Sequence, residues 1–414
     1  MKKILLLPCL LVCAATSLFA QKKEEPKWDV NNPPGPFTSL EFETDEGTWM
    51  NLDVSPDGKQ IAFDLLGDIF VMPVTGGKAT VLRQGKAFEV QPRFSPDGKQ
   101  ISFTSDAGGG DNIWIMDSNG SNAKQLTKED FRLLNNAVWH PDGNYVVARK
   151  HFTSGRSLGA GELWMYHLSG GAGIQLNKRK NDQQDLGEPC FAPDGKSVYY
   201  SEDMYPGGYF QYNKDPNNQI YVIKKFDLIT GETETVTGGV GSAFRPQLSR
   251  DGKLLAFVRR IRTQTTLCIR NLETGAEWPV YGQLSKDQQE AWAIFGVYTN
   301  FNWMPDDKSI VIWSKGKIRK IDVASGTATE IPFSVTSKHS ITDAVRFTND
   351  AAPDSFPAKA IRHAITSPDG KKLVFNAAGY LYIKNLPDGK PVRLTSGTDL
   401  EFEPAFSADG KRLV

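Results

Sequence analysis

The feature that most restricts this chain is a reverse turn that it uses eight times. Pro-Asp-Gly or a close variant occurs as SPDGK at Ser55–Lys59, Ser95–Lys99 and Ser367–Lys371. It recurs as HPDGN from His140, APDGK from Ala192, SRDGK from Ser249, MPDDK from Met304 and SADGK from Ser407. The marker aspartates are Asp57, Asp97, Asp142, Asp194, Asp251, Asp306, Asp369 and Asp409, with spacings of 40 to 63 residues. Proline presets the first corner, aspartate bonds back to nearby backbone, and glycine takes the left-handed conformation that reverses the chain. Those glycines are Gly58, Gly98, Gly143, Gly195, Gly252, Gly370 and Gly410; in the sixth unit Asp307 replaces the glycine and tolerates the conformation less well. These Asp-Gly pairs read as structural turns.

The flanks of the turn alternate. Four residues after the marker stand Ile61, Ile101, Val146, Val198, Leu255, Ile310, Leu373 and Leu413. Two further on come Phe63, Phe103, Ala148, Tyr200, Phe257, Ile312 and Phe375. This is the period of a strand. A third run follows, such as IWIMD from Ile113, and a fourth, weaker run ends near Leu126. Four short antiparallel strands, repeated, define an all-β β-propeller of four-stranded blades, since no blade buries both of its faces alone. Seven repeats are complete. The eighth stops at Val414, five residues past Asp409, and reads as truncated, with an exposed edge. Whether the repeats close one ring, or a ring plus the start of another, stays open. Phe37–Glu43 reads as a strand able to pair with the last blade, a blade that is missing on this reading.

Residues 1–20 read as a secretory signal peptide: Lys2 and Lys3, then the apolar run Ile4–Ala15, with cleavage after Ala20. A membrane anchor is the competing reading, but a span needs about 20 apolar residues. Residues 21–37 form a Pro-rich leader, and 38–414 the repeat region. Export implies a periplasmic or extracellular protein with no stable membrane span after cleavage. The 48 basic and 48 acidic side chains balance, which leaves no electrostatic footprint for nucleic acid. Of four cysteines, Cys9 and Cys13 leave with the signal. Cys190 and Cys268 lie in strand-like runs and read as buried thiols, a single bridge being the alternative.

Four units carry insertions, at 151–162, 202–218, 284–300 and 334–360. In the third, Ser285 and Gln288 have capping-box spacing, which predicts one short helix. Loops on a rigid scaffold are where binding resides, and simple length drift is the alternative. The surface binding candidates are Arg149, His151, Arg156, Tyr209 and Tyr212. Arg149, Lys150, His151 and Arg156 cluster, as do Arg259, Arg260 and Arg262; they read as solvated strand ends or as an anion-accepting rim. The tyrosines read as contacts to a ligand or partner domain, or as cover for a blade edge. The five histidines have no metal-ligand spacing. Gly155-Arg156-Ser157-Leu158-Gly159 satisfies G-x-S-x-G, but in a Gly- and Ser-rich insertion rather than between a strand and a helix. No catalytic residue and no metal ligand is assigned.

The SPDGK–IAF–IWIMD–LT repeat resembles the TolB-type propellers, which include those of tricorn-like and prolyl-oligopeptidase-type peptidases. The stretches WDVNNPPGPF, DEGTWMNLDVSPDGKQIAFDLLGDIF and ARKHFTSGRSLGAGELW look like large secreted bacterial proteins in which such a propeller precedes a metal-dependent amidohydrolase domain. The resemblance implies that this chain is the non-catalytic propeller, docking a downstream catalytic domain and restricting substrate access. It implies a divalent metal such as zinc in that domain only, and no cofactor here. Two alternatives stand beside it: a stand-alone periplasmic module that binds a protein or peptide, and a propeller gating a serine peptidase.

Overall fold

Each turn folds as its chemistry requires. In the computed structural model, which describes residues 28–130, 133–153, 159–204, 214–291, 293–342 and 349–414, the Ser95 hydroxyl donates to Asp97 Oδ1 at 2.7 Å. The same carboxylate accepts from the Lys99 N–H at 3.1 Å, and Ser95 Oγ accepts from the Gln100 N–H at 2.9 Å. The Ser55, Ser249, Ser367 and Ser407 turns repeat the serine-to-aspartate bond. Gly98 sits at φ 71°, and Asp307, its counterpart in the sixth turn, is forced to φ 55°.

This serine bonding holds Asp57, Asp97, Asp251, Asp369 and Asp409 below the usual carboxylate range; for Asp97 the first cause is the Ser95 hydroxyl, then the Lys99 N–H. A depressed folded-state value contributes stability above the unfolded value of 3.8, and that contribution is lost as pH falls through the folded value. Ser95→Ala is therefore expected to raise the Asp97 titration midpoint, followed by carboxyl NMR, and to cost about 1 kcal/mol near neutral pH. The stability gap should narrow in acid. An unmoved Asp97 midpoint would show that the hydroxyl does not hold the turn.

The described residues contain strands and no helix. Among the described residues, seven four-stranded antiparallel sheets follow one another in chain order. The first is built from Leu52–Val54, Gln60–Leu65, Asp68–Pro73 and Thr80–Arg83. The chain divides into two compact units, Met1–Asp343 and Ala344–Val414. The first unit holds six of the sheets, and they close on themselves. Leu52 N–H donates to Asn300 O at 3.2 Å, Asn300 N–H to Asn51 Oδ1 at 3.0 Å, and Asn302 Nδ2 to Asp53 Oδ1 at 2.6 Å, tying the sixth sheet to the first. At the turns, a Cβ on Gly98 would stand 3.4 Å from Pro56, and one on Gly58 only 2.8 Å from Pro305, so first and sixth turns also meet.

The core is a succession of layers between sheets. Ile101 and Phe103 of the second sheet pack with Ala62 and Ile69 of the first. Val147 of the third packs with Val198 and Tyr200 of the fourth. The layers joining the fifth, sixth and first sheets merge into one cluster that includes Leu52, Phe63, Phe244, Tyr298, Trp303 and Ile312. Both faces of each second strand are thus covered by neighbouring sheets, and each fully buried Ile or Phe contributes about 1.5–3 kcal/mol.

The second unit carries the seventh sheet, Arg362–Thr366, Lys372–Ala377, Tyr380–Asn385 and Val392–Arg393. Beyond it Phe406 and Leu413 form an isolated antiparallel bridge. Phe37–Thr44 is a strand, but its partner differs from the expected last blade. It pairs antiparallel with Phe333–Thr342, from the fourth insertion, with Phe37 opposite Thr342 and Thr44 opposite Val335. The short helix expected near Ser285 does not form. Asp287 is instead drawn into the interior by Arg260, 2.5 Å away, and by the Thr265 hydroxyl at 2.6 Å, while Ser285 Oγ accepts from the Lys315 N–H at 2.8 Å. These tertiary partners outbid the local cap. Residues 1–20, read from the sequence as a signal peptide, lie outside the described residues.

Candidate functional site: the central channel

The first strand of each sheet in the ring lines a common channel, and two positions of the repeat build it. Four residues before the marker aspartate stand Asp53, Arg93, Val138, Cys190, Gln247 and Asn302, which together line a cavity of about 400 Å³. Its mouth is rimmed by the turn prolines Pro56, Pro96, Pro141 and Pro193. Six residues before the marker stand Asn51, Gln91, Asn136, Glu188, Arg245 and Asn300, all polar and all buried. Gln91, Asn136, Glu188 and Arg245 hold φ between 53° and 61°. At each of these four the register with the second strand slips, a β-bulge that turns the side chain inward.

The third insertion crosses the channel at this second layer. Gln91 Nε2 donates to Phe295 O at 2.7 Å, and Asn135 Nδ2 to Ile294 O at 3.0 Å. Glu188 Oε1 accepts from the Val297 N–H at 2.5 Å and the Tyr298 N–H at 3.2 Å. Arg245 Nε donates to Tyr298 O at 2.8 Å. Four successive sheets therefore hold one segment by its backbone. Arg245 also pairs with Glu188 at 3.2 Å and donates to Asn136 Oδ1 at 2.9 Å and to Asn300. Burial pulls the Arg245 guanidinium down to about 10, so it remains a cation at neutral pH. The readable signal was a polar residue six places before the marker in each of the six ring repeats, set among apolar alternation.

Burial pushes the Cys190 thiol up to about 11, so it is no nucleophile at neutral pH. Burial also raises Asp53, against the Arg93 charge and the Phe94 N–H at 2.8 Å. Cys190 and Cys268 are both free and buried. Among the described residues no three His, Cys, Asp or Glu side chains stand together as a metal site would need.

The binding candidates read from the sequence fall elsewhere. Arg149 and His151 were expected at the surface; both are buried. Arg149 is drawn in by Asp185, 2.5 Å from Nη2, and by the carbonyls of Leu186 at 2.9 Å and Ile294 at 3.2 Å, so it supports the crossing segment. Lys150 pairs with Glu129 at 2.5 Å over the Trp164 ring. Arg259 is paired with Glu277 at 2.8 Å, and Arg260 with Asp287 and Glu290, whereas Arg262 is exposed in a hairpin turn. Arg156, Tyr209 and Tyr212 lie outside the described residues, as does Ser157 of the G-x-S-x-G string. A strand, Gly159–His167, follows that string where a nucleophile elbow needs a helix.

Residues 50–159 match the family described as the tricorn protease N-terminal β-propeller domain. The solved structure of TolB from Acinetobacter baumannii superposes with a TM-score of 0.51 at 15% identity, covering 70% of this chain and 66% of that one. The fold is a TolB-like β-propeller. Among curated proteins, the uncharacterized peptidase YuxL of Bacillus subtilis is 23% identical over 189 residues, 36% of this chain. Dipeptidyl-peptidase 5 of Porphyromonas endodontalis is 23% identical over 263 residues, 49% of this chain. The matched segments span 29% and 36% of those two relatives. The TolB-like ring is thus similar to parts of proteins named as peptidases.

Proposed function

We propose that this TolB-like ring is the non-catalytic propeller of an exported hydrolase of C–N bonds, where it docks the catalytic domain and limits what reaches it. One observation carries the reading. A channel lined by the first strands of six sheets has a cavity at one end, a backbone-held segment across the other, and no activated nucleophile among its described residues. Lys2, Lys3 and the apolar run after them support export. Two forms of the enzyme fit. The matches to named peptidases favour a propeller that gates a peptidase. The amidohydrolase resemblance would place zinc or a similar metal in the catalytic domain. The likeness to TolB favours a different role, a periplasmic module that binds a protein or peptide partner.

The purified chain is expected to turn over neither dipeptide anilides nor N-acyl amino-acid amides, with or without added zinc. Zinc-dependent hydrolysis that copurifies with this chain would overturn the non-catalytic reading. In the whole protein, chelator-sensitive hydrolysis marks the amidohydrolase form and labelling by a fluorophosphonate marks the serine peptidase form.

A further inference from the structure

We infer that the channel cavity is a carboxylate site anchored by Arg93, and that it takes the free C-terminus of a short peptide. The inference rests on the reading of the ring as a module that selects what enters, and it names the ligand.

Arg93 is 6% exposed, yet its guanidinium is barely used. Nη1 makes one long bond, 3.4 Å to Asp53 Oδ1, and the buried Nε has no partner. Asp53 is well supplied by contrast, accepting from the Phe94 N–H at 2.8 Å and from Asn302 Nδ2 at 2.6 Å. The spare hydrogen-bonding capacity at this pair is therefore on the cation. A guanidinium carries five donors in a planar fork that matches a carboxylate, and leaving them unmet in the interior is costly. An entering carboxylate forms a charge-assisted pair with the guanidinium's terminal nitrogens, and a small rotation of the guanidinium brings Nε, closed off as it stands, into the fork.

The rest of the wall specifies what else the ligand carries. Gln247 donates through Nε2 to Asn302 at 3.2 Å, which leaves its carbonyl oxygen to accept a peptide N–H. Val54, Phe94, Val138 and Leu248 give apolar faces on which side chains rest. The cavity, about 400 Å³, is within the range of small-ligand sites. A phosphate dianion suits it less, because Asp53 stands beside Arg93, the walls are apolar, and the second lining cation, Arg250, is solvent-exposed. The mouth opens between the turn prolines, so a chain end enters there while the 284–300 segment closes the way through.

The test is calorimetric titration of the purified chain with N-acetyl-Ala-Leu-Phe as the free acid, with its C-terminal amide, and with acetate. The acid is expected to bind one to one, the amide at least tenfold more weakly, and acetate not measurably at the same concentrations. Arg93→Met should weaken the acid at least tenfold. Gln247→Glu keeps both Arg93 and Asp53 and sets a like charge against the ligand's carboxylate; it should weaken the acid at least tenfold more than it weakens the amide. Folding of both variants is checked by circular dichroism. Equal binding of acid and amide, no binding of the acid to the folded chain, or an Arg93→Met protein that binds as before each overturns the site. Acetate binding as tightly as the peptide overturns the peptide assignment. A failure to bind leaves the non-catalytic reading standing, since that reading is judged by turnover.

Discussion

Glu188→Ala is expected to cost about 3–5 kcal/mol of folding free energy, read by chemical denaturation, because it breaks a buried pair and leaves the Arg245 cation uncompensated. The loss is larger than one ion pair. Glu188 also accepts from the N–H of Arg245 at 2.7 Å, from Val297 at 2.5 Å and from the Ser201 hydroxyl at 2.5 Å. Those donors are buried, so losing their acceptor leaves them unsatisfied. The fifth sheet and the crossing segment would lose their common acceptor together. Glu188→Gln keeps one carbonyl oxygen and should recover part of the loss. A Glu188→Ala protein within 1 kcal/mol of the parent would mean that the polar layer does not hold the 284–300 segment.

Trp303→Ala should be comparably severe, about 3–5 kcal/mol. The side chain is 1% exposed in the cluster that joins the fifth, sixth and first sheets. Its indole N–H donates to Gln247 O at 2.9 Å, one sheet back. Trp139 makes the equivalent bond to Arg93 O at 3.0 Å. Trp303→Phe keeps most of the volume and removes that bond, so it should cost about 1 kcal/mol. The contrast separates packing from hydrogen bonding. Equal losses for the two variants would place the energy in the bond and not in the closure of the ring.

Much of the fold was written in the repeat. The turn residues and the alternate apolar positions are local signals, and local geometry answers them directly. Ile61 and Phe63, or Ile310 and Ile312, are buried because a strand leaving a Pro-Asp-Gly turn presents those positions to a neighbour. The site was less legible. The two channel layers lie four and six residues before each marker, but their residue types vary: Asp53, Arg93 and Val138 at one, Asn51, Glu188 and Arg245 at the other. The fixed spacing and the polarity of the second layer were legible, but no shared residue type showed which side chains pair, because they meet only across the ring. Arg149 and His151 looked like surface groups for the same reason. Asp185, which draws Arg149 inward, is 36 residues away and belongs to the approach to the next sheet.

What the sequence by itself determined was the unit: a strand, a tight turn, and three further strands, repeated with insertions in known places. Turn chemistry and a two-residue period act over a handful of residues, so they can be read from the chain. What only the tertiary structure decided was how many units close. The ring shuts after six sheets, when Asn302 reaches Asp53 and Pro305 meets Gly58, and the seventh sheet falls in the second unit. Closure depends on small rotations between neighbouring sheets, accumulated around the ring and fixed by side chains far apart in sequence. The third insertion followed the same rule. Its local cap favoured a helix, and the buried partners of Asp287 and the acceptor Glu188 drew it across the channel instead.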